Sequence, residues 1–103
     1  MALIELSINP LGTKTPSVSQ YVARAVEILR GEKDIKYELT PMGTIIEGDL
    51  GQLLTLVQKM HEAVFDAGVT RVVTMIKIDD RRDKTSSLSS KMESLRRELG
   101  YQG

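Results

Sequence analysis

The alternation of apolar and polar residues predicts four β-strands. Ala2 to Asn9 places Ile4, Leu6 and Ile8 on one face and mostly polar residues on the other, which is typical of a strand with one face in a core. A period of two also marks three later segments: Lys33 to Thr40, Thr44 to Gly48, and Thr70 to Asp79. Because the last two segments are apolar on both faces, we expect both of their faces to be covered.

A helical period follows the first and third strands. Ser17 and Gln20 have the spacing of a capping box before an amphipathic segment that ends near Gly31. Asp49 and Gln52 repeat that spacing before a second segment, Leu50 to Ala67. The second helix is predicted to present one apolar face, made of Leu53, Leu54, Val57, Met60, His61 and Val64. A short third helix is predicted ahead of Gly100, from Leu88, Met92, Leu95 and Leu99.

The stretch Thr40 to Asp49 combines a turn, a strand and a helix start. Pro41 suits the second position of a type I turn, and Gly43 is expected to take the left-handed conformation of a bulged hairpin. Since both faces of Thr44 to Gly48 carry an isoleucine, this strand is predicted to be central in the sheet.

The order of elements predicts a ferredoxin-like α+β sandwich. The βαββαβ plan gives a four-stranded antiparallel sheet with two helices on one face, here as a single domain of 103 residues with a short C-terminal helix. Glu5, Ser7 and Glu47 are then expected on the face without helices. Val73 and Met75, on the second apolar face of the last strand, predict association as a homodimer or homotetramer through that face or that strand.

Charge and composition exclude several classes of partner. The chain has 14 basic and 14 acidic residues, so no net field attracts nucleic acid or a membrane, and neither is expected as a partner. It has no cysteine and one histidine, His61, which argues against a thiolate or multi-histidine metal site. Nothing in the sequence resembles a signal peptide or a membrane span, so a cytoplasmic protein is expected.

Four motifs carry a resemblance to a known family. The chain resembles the thiamine-binding protein family of small ferredoxin-like domains over roughly Leu3 to Leu99. The motifs are PLGT at 10–13, YVA at 21–23, PMGTIIEG at 41–48 and IDDRRDK at 78–84. The resemblance implies a domain without catalytic residues or a cofactor, which binds thiamine or its hydroxymethylpyrimidine moiety and forms dimers or tetramers.

Polar residues on the central strands are the candidate ligand contacts, because a thiamine site needs hydrogen-bond partners for an aminopyrimidine and an anion near the thiazolium. They are Glu5, Ser7, Asn9, Thr44 and Glu47. Glu47 is the main candidate, since a carboxylate on a central strand costs free energy unless it has a partner. No catalytic residue and no metal ligand is predicted.

Other polar features have simpler interpretations. His61 is expected to be a hydrogen-bonded residue at the edge of the core, since no nucleophile is spaced to cooperate with it. The cluster Asp79 to Lys84 has balanced charges, which favours a self-paired network over a phosphate or cation site. A structural or regulatory oligomer is the alternative to a binding protein, and a small enzyme is a third hypothesis.

Overall fold

The computed structural model describes residues 1–13, 18–83 and 88–100, and it contains the predicted elements in the predicted order. They are β1 (Ala2–Leu11), α1 (Ser19–Glu27), β2 (Lys36–Thr40), β3 (Gly43–Gly48), α2 (Leu50–Phe65), β4 (Arg71–Asp80) and α3 (Leu88–Glu98). The sheet has the order β2-β3-β1-β4 with every neighbouring pair antiparallel. The ferredoxin-like α+β prediction is confirmed, and β1 and β3 are central.

The core lies between one face of the sheet and the helices α1 and α2. Ile4 of β1 stands opposite Ile46 of β3 on one side and Ile78 of β4 on the other. The residues that are almost completely buried come from β1, the turn after α1, β3 and α2: Ile4, Leu6, Leu29, Ile46, Leu53, Met60 and Val64. The alternation predicted for β1 is confirmed, because its even-numbered residues face this core.

The apolar face predicted for α2 is wrong at one position. Leu56 is buried, with 2% of its surface exposed, whereas Leu54 is 42% exposed. Both leucines fit an apolar helical stripe in the sequence. The rotation of the helix on the sheet decides between them, and it turns Leu56 with Leu53 and Val57 toward the core.

Strand β1 is longer than predicted, because it pairs with β4 along its whole length, as far as Leu11 opposite Arg71. Pro10 was predicted to start a loop, yet it is a strand residue. Strand β3 begins at Gly43 and pairs with β1 only up to Leu6 opposite Thr44. Because no residue of β3 lies opposite Pro10, the missing N–H of this proline removes no bond to β3.

The β2–β3 hairpin differs from the prediction at Gly43. Pro41 and Met42 form a two-residue loop, in which the Thr40 hydroxyl donates to the Gly43 carbonyl at 2.8 Å and accepts from the Met42 N–H at 3.2 Å. Gly43 has a positive φ of +157°, which confirms a backbone conformation that favours glycine but lies far from the left-handed helical value near +60° that was predicted. A Cβ at this position would lie 2.6 Å from the Leu6 carbonyl oxygen, so the close approach of β1 requires glycine.

The predicted cap of α2 is half confirmed. The Asp49 carboxylate accepts a bond from the Gln52 N–H at 3.3 Å, while the Gln52 side chain donates to the Lys33 carbonyl at 2.9 Å and does not return to Asp49. The cap predicted at Ser17 lies outside the described residues. Helix α1 begins after Val18, which makes no side-chain cap bond.

Candidate functional site

A cavity of about 180 Å³ lies where β1 extends beyond the end of β3. Its walls come from β1, α1, the β2–β3 hairpin and Met60 of α2. The described lining residues are Leu6, Ser7, Ile8, Asn9, Val18, Val22, Ala25, Val26, Thr40, Pro41, Met42, Gly43, Thr44 and Met60. Among these residues none is charged, so the cavity is suited to a neutral, mostly apolar group with a few hydrogen-bonding positions.

The backbone of β1 supplies polar groups beside this cavity. The Leu6 carbonyl faces Gly43, as its 2.6 Å distance from a Cβ at that glycine indicates. Because successive residues of a strand direct their N–H and C=O groups to opposite edges, the backbone groups of Ile8 face the same side as those of Leu6. By this alternation the N–H and C=O of Ile8, which lines the cavity, face the side of β1 on which no residue of β3 is paired with it.

The cavity brings together three of the five predicted ligand residues. Ser7, Asn9 and Thr44 line it, and Thr44 is buried at the start of β3. Glu5 and Glu47 are outside the described lining. The register places them on the face without helices, as predicted, with Glu5 exposed and Glu47 buried.

Each of the two glutamates has a lysine on the neighbouring strand. Glu47 stands opposite Lys36 of β2, and Glu5 stands opposite Lys77 of β4. Opposite charges at such positions stabilise neighbouring strands, by up to about 1 kcal/mol for a pair. The register therefore gives each carboxylate a basic residue on the same face of the sheet.

His61 occupies the boundary position that was predicted. Its Nδ1 lies 2.7 Å from the Thr74 hydroxyl of β4, and its ring packs edge-on against Phe65 at a centroid distance of 5.2 Å. These contacts join α2 to β4, so His61 is a packing residue. No group of three or more potential metal ligands occurs in the part of the chain that the structure describes.

Four residues of the charge cluster at the end of β4 pair with one another, as predicted, whereas Asp79 pairs with Lys91 of α3. Arg81 donates two bonds to Asp83, at 2.6 and 3.1 Å, and Arg82 donates two bonds to Asp80, at 3.1 and 2.9 Å. These hydrogen bonds to carboxylates raise the pKa of both arginines. The two guanidinium groups also line a polar depression beside Asp49, at the start of α2, but their carboxylate partners offset their attraction for an anion. Lys84 lies outside the described residues.

The sequence did not reveal the cavity, because the cavity depends on a difference in strand length. Pro10 is the residue that could have indicated the cavity, because a proline within a strand occurs where one edge of that strand has no hydrogen-bonding partner. The hairpin motif PMGT and the segment YVA of α1, which were noted for their resemblance to a family, lie on opposite walls of this cavity or beside it. None of the helices within residues 1–13, 18–83 and 88–100 combines the length and the apolar composition of a membrane-spanning segment.

Comparison with known proteins gives matches over nearly the whole chain. Residues 4–96 match the family model described as thiamine-binding protein. The UPF0045 protein YqgV of Bacillus subtilis is 53% identical over 102 residues, which cover 96% of this chain and 98% of the relative. A UPF0045 protein of Methanothermobacter thermautotrophicus is 46% identical over 100 residues, covering 96% of this chain and 100% of that protein.

Solved structures share this fold. The hypothetical protein MJ1052 of Methanocaldococcus jannaschii superposes with a TM-score of 0.83 at 40% identity, covering 91% of this chain and 94% of that one. A putative thiamine biosynthesis/salvage protein of Thermotoga maritima has a TM-score of 0.74 at 19% identity, and the match covers 92% of this chain and 98% of that one. At this identity the likeness shows a shared fold. On its family match and on these relatives, the chain belongs to the thiamine-binding protein family.

Proposed function

We propose that the chain is a non-enzymatic binding protein for the hydroxymethylpyrimidine moiety of thiamine, which is held in the cavity between β1, α1 and the β2–β3 hairpin. The family name supports a ligand of this class, and the expected compartment is the cytoplasm. The observation that carries the proposal is the free edge of β1 at Ile8 beside an uncharged cavity.

The chemistry of that edge matches an aminopyrimidine. An aminopyrimidine presents a ring nitrogen that accepts a hydrogen bond next to an exocyclic amine that donates one. The N–H and C=O groups of one strand residue offer the complementary donor and acceptor on the same side. The Thr44 hydroxyl adds a group that both donates and accepts, and Val22, Val26 and Met60 provide apolar surface for the ring faces.

The size of the cavity favours one ring. A volume of 180 Å³ corresponds to the space of about six water molecules, which is below the range of about 300 to 1,000 Å³ for pockets that enclose a drug-sized compound. The pyrimidine therefore fits inside, and the charged thiazolium of thiamine extends outside. Hydroxymethylpyrimidine and thiamine are accordingly expected to bind with similar affinities.

The absence of charged groups from the described lining supports binding without catalysis. Hydrolysis or transfer on a pyrimidine needs a base or a nucleophile activated by one, and the hydroxyls of Ser7, Thr40 and Thr44 have no base beside them in the described lining. His61 contacts Thr74, on the strand at the opposite side of β1 from the hairpin.

Calorimetric titration with hydroxymethylpyrimidine and with thiamine tests the proposal. Thr44→Val removes the hydroxyl at nearly constant shape and is expected to weaken binding about three- to tenfold, the value of one net hydrogen bond. Thr55→Val is the matched control, because the Thr55 hydroxyl lies on the exposed side of α2 and donates to the Gly51 carbonyl. It should leave the affinity unchanged.

The variant Glu47→Gln distinguishes binding in the cavity from binding on the face without helices, where Glu47 was the predicted ligand contact. A ligand in the cavity does not contact Glu47, so the affinity should stay within about twofold. A loss of about ten- to a hundredfold, the value of a charge-assisted hydrogen bond, together with normal binding by Thr44→Val, would place the ligand beside Glu47. Absence of binding of both compounds by the parent protein would refute the ligand class.

The second proposed property is self-association as a homodimer or homotetramer. The observation that favours it is the apolar exposure of β4, where Met75 is 67% exposed and Ile76 and Ile78 are nearly half exposed. A structural or regulatory oligomer without a ligand, the alternative function, would still self-associate but would bind neither hydroxymethylpyrimidine nor thiamine.

A further inference from the structure

A second depression lies next to the cavity and shares one wall with it. The shared wall consists of Val18, Val22 and Val26, which are spaced four residues apart along α1 and its N-cap and line both spaces. Ala23 of α1 and Leu39 of β2 line only the second depression, which we call the outer groove. Val22 is 38% exposed and Leu39 is 58% exposed, so the outer groove presents apolar surface to solvent beside the cavity.

The sheet register connects the two spaces. Leu6 of β1 stands opposite Thr44 of β3, and Thr44 stands opposite Leu39 of β2. Residues directly opposite one another share a face of the sheet, so all three lie on the face that carries the helices. Leu6 and Thr44 line the cavity, and Leu39 lines the outer groove. One strand spacing, about 4.8 Å, therefore separates the hydroxyl proposed to bind the pyrimidine from an exposed apolar side chain.

The outer groove has no net charge among its described lining residues. Glu27 and Arg30 are the two charged residues there, and their side chains pair with each other at 3.5 Å. A cation that enters the groove loses part of its hydration, and the one carboxylate in the described lining already has a partner. A neutral apolar ring instead buries its surface against Val22 and Leu39, which is favourable.

We propose that the ligand extends from the cavity across Val22 into the outer groove. The groove then selects aminopyrimidines that carry a neutral, apolar ring at the position where thiamine carries its thiazolium. This inference rests on the proposed binding of the pyrimidine in the cavity, and it adds the chemical class of the substituent. Thiamine gains little over hydroxymethylpyrimidine because the lost hydration of its charge offsets its apolar contact, whereas an uncharged analogue of the same shape gains the whole contact.

Calorimetric titration of the parent protein with three compounds tests this selection. They are hydroxymethylpyrimidine, thiamine and deazathiamine, the analogue in which carbon replaces the positively charged nitrogen of the thiazolium. Deazathiamine is expected to bind about tenfold more tightly than the other two, the value of burying roughly 60 Å² of apolar surface. Binding of hydroxymethylpyrimidine without a gain for deazathiamine would overturn this inference and leave the proposed function intact. Absence of binding by all three compounds would overturn both.

Leu39→Thr tests whether the gain comes from the outer groove. The variant should reduce the advantage of deazathiamine to about threefold or less and leave the affinity for hydroxymethylpyrimidine unchanged, because Leu39 is outside the described lining of the cavity. Tyr37→Thr is the matched control. Tyr37 lies two residues away on the same face of β2 and outside the described lining of the groove, so its variant should keep the tenfold gain. An equal loss of affinity for both ligands in Leu39→Thr would overturn the inference.

Two charge variants at Ala23 locate the thiazolium. Ala23 is exposed on α1, and glutamate and lysine both have high helix propensity. Ala23→Glu should strengthen thiamine binding about threefold, and Ala23→Lys should weaken it by a similar factor, the value of a surface ion pair. Deazathiamine and hydroxymethylpyrimidine carry no such charge and should bind both variants equally. The same thiamine affinity in both variants would show that the thiazolium lies outside the groove, and would overturn the inference.

Discussion

Gly43→Ala is expected to destabilise the fold through the contact between the hairpin and β1. The new methyl group would stand 2.6 Å from the Leu6 carbonyl oxygen and 3.3 Å from its carbon, whereas carbon and oxygen atoms normally approach to about 3.3 Å. Both neighbours are backbone atoms, so β1 or the hairpin must move by about 0.7 Å. The movement weakens a backbone hydrogen bond, about 1 kcal/mol. A residue other than glycine at φ of +157° adds about 1 to 3 kcal/mol.

The expected total is about 2 to 4 kcal/mol, a large part of the roughly 5 to 15 kcal/mol that stabilises a typical domain. Urea unfolding followed by circular dichroism measures it, and the midpoint should fall by about 1 to 2 M for an m-value near 2 kcal/mol per molar. Gly51→Ala is the matched control. Gly51 is a helical residue of α2 and has only the flexible Asp49 side chain beside a new Cβ, at 3.3 Å. This change should stabilise the protein by about 0.5 to 1 kcal/mol. Equal midpoints for Gly43→Ala and the parent protein would refute the close approach.

Two further predictions concern the packing of α2. Leu56→Ala should cost about 2 to 5 kcal/mol of unfolding free energy because Leu56 is buried, whereas Leu54→Ala should cost less than about 1 kcal/mol; the same loss in both urea curves would contradict the observed rotation of the helix. Thr74→Val should cost about 0.5 to 1.5 kcal/mol by removing the partner of His61, and an unchanged thermal midpoint would show that this hydrogen bond contributes nothing to stability.

The fold was predictable because local patterns agreed with the global arrangement. The period of two in β1 and β3 and the glycine at the end of α2 specify elements that the structure contains. Long-range effects explain the errors. Leu54 and Leu56 both fit a helical stripe, and only packing against the sheet separates them. The Gln52 side chain bonds to Lys33, 19 residues away, which no capping pattern predicts.

The candidate site was only partly predictable. Asn9 and Thr44 were chosen as polar residues on central strands, and they line the cavity. The backbone groups of Ile8 have no signature in the sequence, because every residue carries the same groups and only the end of β3 leaves these without a strand partner. Glu47 was the main candidate because a carboxylate on a central strand needs a partner. The register, which the sequence does not reveal, places Lys36 of β2 opposite it.

The late start of β3, at Gly43, places completion of the sheet and the proposed ligand binding in competition. Residues 7–11 of β1 face a space that a longer hairpin would fill with additional strand residues. Two more residues on each arm of the hairpin would add cross-strand hydrogen bonds, stiffen the sheet and occupy the cavity with protein. Hairpin length is therefore an adjustable parameter of this scaffold: a short hairpin keeps the proposed binding edge at the expense of stability, and a long one closes the sheet and abolishes the cavity.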